Sequence, residues 1–457
     1  MLVFQKTFFH AALWNALNVF LYKIILQTHQ ACLFYVISKE LFGISGTLFS
    51  TIYLLINLTN FGFDYSLFAF HQYYTTCQNN FKKMIHHFLL HSFIILSTTG
   101  ILLVLLHHFS YLPQISFITQ FTPTSLIMLL TALFISESIK KSLELLAHLS
   151  FLNKTITLVE IFTLILYVGI LWSYYFLFGY INLYTIFIFM CITSCLELGI
   201  VVQRLKTFQK TLPIHCPVQP EPTKQEIIFN QIVNYINQIA KALSSPNFMI
   251  IFLAYHLGML KAGFIKLIID IIILFYMLLN RAVGIPSGAL MSRRATIAEP
   301  DLPHFSTIFL KITNAYIQFL YALLILVCAT IIPCMLKSTY LNTTLTINIL
   351  FFMIAGFLEY LIITYEKLYL TQGASTKLAI MNIFGLFSII PALWYSSLLP
   401  QTYLLLPFII IRLCNFICIT WVTYKIWNLR PSFKIKLKTI LITLLPAISL
   451  LAWYLKT

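Results

Sequence analysis

The sequence predicts an all-α polytopic membrane protein with 12–14 transmembrane helices, and it contains thirteen candidate spans. Three observations predict this class. Of the 457 residues, 60% are hydrophobic and 9% are charged, and the mean hydropathy is +0.89, whereas water-soluble domains are about 45–50% apolar and about 25% charged. The apolar residues form long runs between short polar intervals, and lysine and arginine are unevenly distributed between the two sides that these runs define.

A helix needs about 20 mostly apolar residues to cross a bilayer core. The stretches that meet this requirement are approximately 8–36, 44–66, 84–108, 123–147, 155–176, 180–203, 227–257, 262–286, 305–335, 344–368, 376–398, 402–427 and 437–455, the last being compatible with an interfacial position because of Pro446. A proline-rich polar interval follows the sixth stretch. We therefore predict an N-terminal six-helix lobe (1–203), a cytoplasmic linker (204–226), a C-terminal six-helix lobe (227–427), and a final cytoplasmic loop with an additional helix (428–457).

Sidedness follows from the excess of lysine and arginine that cytoplasmic loops carry. If the N-terminus is cytoplasmic, the outer segments hold only Lys39, Lys261, Lys337 and Lys456 of the 29 basic residues. We therefore predict a multi-pass protein of the cell (inner) membrane with a cytoplasmic N-terminus. Much of the formal charge of +16 is then a topology signal, and no nucleic-acid partner is expected.

The motifs that would indicate catalysis or a cofactor are missing from the sequence. The nine cysteines form no C-x-x-C pair and most lie in apolar runs, which predicts neither a disulfide framework nor a zinc site. His87 and His91 have the spacing of two ligands on one helix, but no third ligand lies near them in sequence. There is no phosphate-binding G-x-x-x-x-G-K-[ST] motif, and no loop is long enough to form a catalytic domain. We therefore expect no enzyme activity, no metal and no cofactor.

Ionisable residues inside the predicted spans are candidate functional residues, because each costs about 2.5–3.5 kcal/mol or more in a bilayer core. Lys266, Asp270 and Arg281 fall on one face of the eighth span, which we interpret as facing a watery cavity. The alternative is that Lys266 and Asp270 neutralise each other as an i,i+4 pair while Arg281 reaches the cytoplasm.

Lys23 and Lys241 occupy matching positions on the first helix of each half. Each follows an Asn-x-x-Asn string, at 15–18 and at 234–237, which indicates an internal repeat. The helix that carries Lys241 is predicted to break near Pro246, since proline removes a backbone hydrogen bond. Broken helices often line the central cavity of transporters, so we interpret both lysines as lining a cavity, with structural pairing as the alternative.

The remaining intramembrane charges divide into two groups. Arg412 lies in the middle of its span, and Glu359 is interpreted as a partner of Arg412 or Lys241, or as a proton carrier. The other group lies nearer the ends of spans and is predicted to be structural. It comprises Asp64, Glu160, Glu197 and a solvated cytoplasmic helix end with the pairs Glu137/Lys141 and Lys140/Glu144.

Two segments resemble a known family. Leu41–Gly46, interpreted as a glycine-containing turn, precedes an apolar helix that ends in Asn60-Phe61-Gly62-Phe63-Asp64, as at the start of polysaccharide flippases. Gly284–Arg293, followed by acidic residues at 299 and 301, is similar to the segment after their eighth helix. With the order of spans around a linker, the chain resembles the O-antigen type of polysaccharide flippase within the multidrug/oligosaccharidyl-lipid/polysaccharide exporter superfamily.

This resemblance implies two pseudo-symmetric six-helix bundles around a central cavity. It implies a transporter that flips a polyprenyl-pyrophosphate-linked oligosaccharide from the cytoplasmic to the outer leaflet by alternating access. Membrane lipids would be further partners, and whether glycan assembly enzymes also bind is left open. The substrate-binding cations would be Lys23, Lys241, Lys266, Arg281 and Arg412, and Asp270 and Glu359 would balance their charge or carry a coupling proton.

Two other functions compete with this expectation. A multidrug or metabolite exporter of the same superfamily would usually bind cations through carboxylates, so the intramembrane lysines and arginines count against it. A membrane glycosyltransferase or polymerase would share the composition. Such enzymes usually carry sizeable charged outer loops, whereas the predicted outer loops here are short and nearly uncharged.

Overall fold

The computed structural model describes residues 2–108, 124–214, 223–243, 245–261, 263, 265–267, 270, 343–371 and 374–427. Within these ranges all regular structure is helical, which confirms the predicted all-α class. The α-helices are α1 (Leu2–Val36), α2 (Lys39–Thr59), α3 (Phe63–Tyr74), α4 (Gln78–His108), α5 (Thr124–Leu149), α6 (Asn153–Phe178), α7 (Leu183–Thr211), α8 (Lys224–Ala242), α9 (Pro246–Leu257), α10 (Thr343–Thr371), α11 (Ser375–Leu398) and α12 (Leu406–Trp427).

Several of these helices are long and apolar enough to cross a membrane. By length and composition, six described segments qualify: Lys39–Thr59, Gln78–Leu102, Asn153–Phe178, Leu183–Thr211, Thr376–Ser396 and Leu406–Lys425. The predicted spans 305–335 and 437–455 lie outside the described residues, as does most of 262–286.

The predicted break in the seventh span is confirmed. Helix α8 begins with a capping box, in which the backbone N–H of Glu226 donates to the Thr223 hydroxyl (3.2 Å) and that of Thr223 donates to the Glu226 carboxylate (2.7 Å). The helix ends at Ala242, and Ser245 caps a new helix that has Pro246 in its first turn. Proline suits this position because the first-turn N–H groups of a helix have no intrahelical acceptor.

The second predicted span differs from the structure at both ends. Helix α2 starts at Lys39 with Ser38 as its N-cap, so Gly43 and Gly46 lie inside a helix and the expected turn at 41–46 is wrong. The helix ends at Thr59 rather than continuing to residue 66. The reason is that Phe61 and Gly62 both adopt positive φ angles, of 50° and 75°, which α-helical hydrogen bonding does not accommodate.

The helices pack in two groups joined by α2 and α3. In the N-terminal part α1 contacts α6, and α5, α6 and α7 contact one another; in the C-terminal part α8 contacts α11, while α10, α11 and α12 contact one another. Helix α2 packs against α5 on one side and against α8 and α9 on the other, and α3 contacts both α8 and α10. We refer to the two groups as the N-lobe and the C-lobe, so that α2 and α3 form the seam between them.

The cysteines depart from the sequence expectation in one respect. Cys77, between α3 and α4, is disulfide-bonded, although no disulfide framework was expected. The thiols of Cys32, Cys191, Cys195, Cys414 and Cys418 are free.

Candidate functional site

Two largely buried ion pairs meet in the C-lobe. The Lys241 ammonium on α8 pairs with the Glu366 carboxylate on α10, and the Arg412 guanidinium on α12 lies 2.5 Å from the Glu359 carboxylate, also on α10. Glu359 and Glu366 are seven residues apart and therefore lie on one face of α10. Glu359 also interacts electrostatically with Lys241 and Glu366. The four groups thus form one neutral cluster, here called the C-lobe charge cluster.

An asparagine stripe on α8 leads to this cluster. Asn234 and Asn237 are fully buried, and the Asn237 side-chain oxygen accepts a hydrogen bond from the Asn382 amide on α11 (2.9 Å). Lys241 follows Asn237 by one helical turn. The predicted shared face of these three residues therefore points into the helix bundle, and the polar string is used for contacts between α8 and the other C-lobe helices.

Lys266 and Asp270 form the i,i+4 pair that the sequence left as an alternative. The ammonium lies 2.9 Å and 3.2 Å from the two carboxylate oxygens, and both residues are buried. The lysine stem packs against α2 across the seam, because a Cβ atom at Gly46 would lie only 2.5 Å from Cδ of Lys266. This pair therefore lies where the two lobes meet. Arg281, predicted on the same face, lies outside the described residues.

The predicted binding residues are thus only partly brought together. Lys241, Arg412 and Glu359 meet in the C-lobe charge cluster, which also includes Glu366. Lys23 is buried, at 7% exposed, on α1, which packs against α6 in the N-lobe.

The N-lobe contains an acidic cluster that the sequence interpretation missed. Carboxylate oxygens of Glu144 on α5, Glu160 on α6 and Glu197 on α7 all lie within 4.8 Å of one another, and the three residues are buried. The side-chain amide of Asn18, on α1, donates to Glu160. Four helices therefore converge on this cluster, here called the N-lobe acidic cluster.

A lysine lies at the edge of the N-lobe acidic cluster. The Lys140 ammonium is 2.6 Å from Glu137 and 3.1 Å from Glu197, and the three side chains are only 8–13% exposed. The neighbouring Lys141 donates to the Asn57 side chain on α2 (2.6 Å). The expectation of a solvated helix end is therefore wrong, because this part of α5 is covered by α2 and α7.

The sequence did contain a signal for this cluster. Glu137, Lys140 and Glu144 are spaced i, i+3 and i+7, which places them on one face of α5. Their closeness to the end of the predicted span suggested that they are exposed to water. Whether a residue near the end of a helix meets water depends on which face it occupies, and this stripe faces α7.

The N-lobe acidic cluster is chemically suited to positive charge. Two carboxylates about 4–5 Å apart repel each other by about 3–4 kcal/mol at an effective dielectric constant of about 20. Closely spaced carboxylates are stabilised by shared protons or by a cation, and oxygen ligands suit hard cations. The residues present therefore fit a proton- or cation-binding role.

No family model matches the sequence, and no curated protein matches it. Among solved structures, a mutant of the Vibrio cholerae MATE transporter VcmN superposes with a TM-score of 0.56 at 14% identity, covering 93% of this chain and 96% of that chain. The MATE multidrug transporter DinF-BH gives 0.60 at 14% identity over 93% and 96%. The eukaryotic MATE transporter AtDTX14 gives 0.58 at 11% identity over 93% and 97%. The chain therefore has the fold of these MATE transporters.

Proposed function

We propose that this protein is an alternating-access transporter that moves a polyprenyl-pyrophosphate-linked oligosaccharide across the membrane. The fold supports transport as the general activity. The observation that carries the substrate class is that Lys241, Lys266 and Arg412 lie inside the helical bundle, each paired with a carboxylate. Their partners Glu366, Asp270 and Glu359 are supplied by the C-lobe itself.

Such pairs can serve as a preformed anion site. A buried cation is costly without a counter-ion, so an empty site needs carboxylates to hold its lysines and arginines. An incoming pyrophosphate offers the same kind of charge with more acceptor oxygens, and arginine binds phosphate oxygens in a bidentate manner. Exchange of a carboxylate for a phosphate, assisted by protonation of the displaced carboxylate, would keep the site neutral during loading and release.

The test is translocation of a fluorescent polyprenyl-pyrophosphate oligosaccharide in proteoliposomes. We expect the double variant Lys266→Met/Asp270→Asn to transport about 10–150-fold more slowly, the loss expected for one charge-assisted hydrogen bond of about 1.5–3 kcal/mol. The double variant removes both charges and so leaves no unpaired carboxylate in the bundle.

The matched control is Lys206→Met, which removes an exposed lysine from α7 and should transport at the wild-type rate. Well-folded wild type that fails to translocate the lipid under either a proton or a sodium gradient would overturn this substrate assignment.

A second candidate function, export of an organic cation, is favoured by the N-lobe acidic cluster. Its three carboxylates would attract a cationic substrate or a coupling ion, as argued above. The intramembrane lysines and arginines were the argument from the sequence against this function. In the C-lobe charge cluster, however, those charges are neutralised, and this weakens that objection.

Thermal unfolding in detergent tests whether the acidic cluster binds a small cation. We expect Na⁺ to raise the Tm of wild type relative to an equal concentration of the bulky cation N-methylglucamine, because binding to the folded state alone stabilises it. The Glu160→Gln variant should lose this difference, and the matched Glu226→Gln variant, at an exposed helix cap, should keep it. Equal Tm values for wild type in the two salts at every pH tested would exclude Na⁺ binding at this cluster.

A further inference from the structure

The turn between α2 and α3 is an unusual segment of the seam. It contains the Asn60-Phe61-Gly62-Phe63-Asp64 string, and two successive residues, Phe61 and Gly62, have positive φ angles. A bulky residue rarely adopts this conformation, and it persists only where surrounding contacts fix it. Such segments are frequent where a protein switches between two states. The contacts that hold this turn therefore show how it is fixed between the two lobes.

On its N-lobe side the turn is anchored by two hydrogen bonds to Ser142 of α5, and a third hydrogen bond lies within the turn itself. The backbone N–H of Asp64 donates to the Asn60 side chain (3.0 Å), the Asn60 amide donates to the Ser142 hydroxyl (3.4 Å), and Ser142 donates to the Asp64 carboxylate (3.1 Å). The Phe63 ring also stacks on His91 of α4, with centroids 4.6 Å apart. The turn is thus connected to both α4 and α5.

On its C-lobe side the turn meets a single face of α8. The backbone N–H of Gly62 donates to the Gln238 side chain (3.2 Å), and the Phe61 ring lies 5.1 Å from that of Tyr235. A Cβ atom at Gly62 would lie 2.3 Å from the carbonyl oxygen of Gln231 and 2.7 Å from the backbone nitrogen of Tyr235. The two lobes therefore approach backbone to backbone at this point.

We infer that this turn is an inter-lobe latch, which closes the central cavity that the resemblance implies, at the end predicted to be cytoplasmic, and which must release α8 before substrate can enter. The inference rests on the proposed alternating-access function. Within residues 60–64 the weaker set of contacts is on the α8 side, where one side-chain hydrogen bond and one ring pair face two hydrogen bonds to Ser142 and a stacked ring on the N-lobe side. Separation should therefore occur between Gly62 and α8, with the turn moving as part of the N-lobe.

The first experiment measures opening without any substrate. A cysteine at Gln231 reports on the latch through its rate of labelling by a membrane-impermeant maleimide, compared with the same protein lacking that cysteine. Gly62→Ala should increase the labelling rate, because its methyl group would collide with α8. Gly179→Ala is the matched control, since Gly179 has φ 76° with no neighbouring atom within 4 Å, so the same backbone strain arises without a collision.

Gln238→Ala provides a second variant that introduces no collision and should fold normally. We expect it to raise the labelling rate about 2–10-fold, the range expected for loss of one hydrogen bond. Equal labelling rates in wild type, Gly62→Ala, Gln238→Ala and Gly179→Ala would overturn the latch.

The second experiment locks the latch. Cysteines at Phe61 and Tyr235, joined by a short bifunctional thiol reagent that a reductant cleaves, should abolish transport until the reductant is added, whereas each single-cysteine variant should remain active. A cross-linked protein that transports at the wild-type rate would overturn the latch. If the labelling differences appear but the glycolipid is not transported, the latch stands and only the substrate assignment fails.

Discussion

Lys140→Met is expected to lower the free energy of unfolding by about 3–5 kcal/mol, the usual cost of removing one partner from a buried ion pair. Lys140 contacts Glu137 and Glu197, and the carboxylates of Glu144 and Glu160 lie close to that of Glu197. Without the ammonium, four buried carboxylates would share one part of the N-lobe. Equilibrium unfolding in mixed detergent micelles measures the effect.

Two further variants separate charge from packing in this experiment. Lys206→Met makes the same substitution at an exposed position of α7, and such surface changes usually stay within about 0.5 kcal/mol of wild type. Adding Glu197→Gln to Lys140→Met should recover part of the lost stability, because it removes one of the unpaired charges. If Lys140→Met and Lys206→Met are equally stable, Lys140 does not neutralise the cluster.

Hydropathy was sufficient to predict most of the described helices, but it missed α3 and the structure of the turn after α2. A run of about 20 apolar residues forms a helix in a membrane whatever its neighbours are, because every backbone hydrogen bond must be made inside the segment. The break at Pro246 was predictable for a similarly local reason. The positive φ angle of Phe61 was not, since it depends on contacts with α4, α5 and α8, which lie far apart in sequence.

In the candidate site, too, local features were predictable from the sequence and contacts between distant helices were not. Charge balance predicted that Glu359 pairs with a cation inside the bundle, because a charge in the middle of a span needs a counter-ion, but it left Arg412 and Lys241 as alternative partners, and the structure pairs Glu359 with Arg412. The pairing of Lys241 with Glu366 depends on how α8 packs against α10. The N-lobe acidic cluster was missed because closeness to a predicted span end was taken as exposure, whereas burial is set by the rotation of α5 toward α7.

Arg412→Gln is expected to slow transport of the pyrophosphate-linked lipid by at least about 100-fold, which corresponds to about 3 kcal/mol and is reasonable for loss of a bidentate phosphate contact. Glu359 would then be left without its partner, so loss of folding could produce the same result. The charge-swapped variant Glu359→Arg/Arg412→Glu addresses this, because it keeps one cation and one carboxylate in contact between α10 and α12.

The swap distinguishes a binding role from a purely structural one. If Arg412 only neutralises Glu359, the swapped protein should recover both thermal stability and transport. If the guanidinium on α12 binds the pyrophosphate, the swap should recover stability while transport stays low, because the cation then lies on α10. Glu359→Gln, which removes the competing carboxylate, should bind the pyrophosphate more tightly than wild type but release it more slowly. Substrate-dependent stabilisation and single-turnover translocation measure these two effects separately, and a swapped protein with wild-type transport would assign Arg412 a structural role alone.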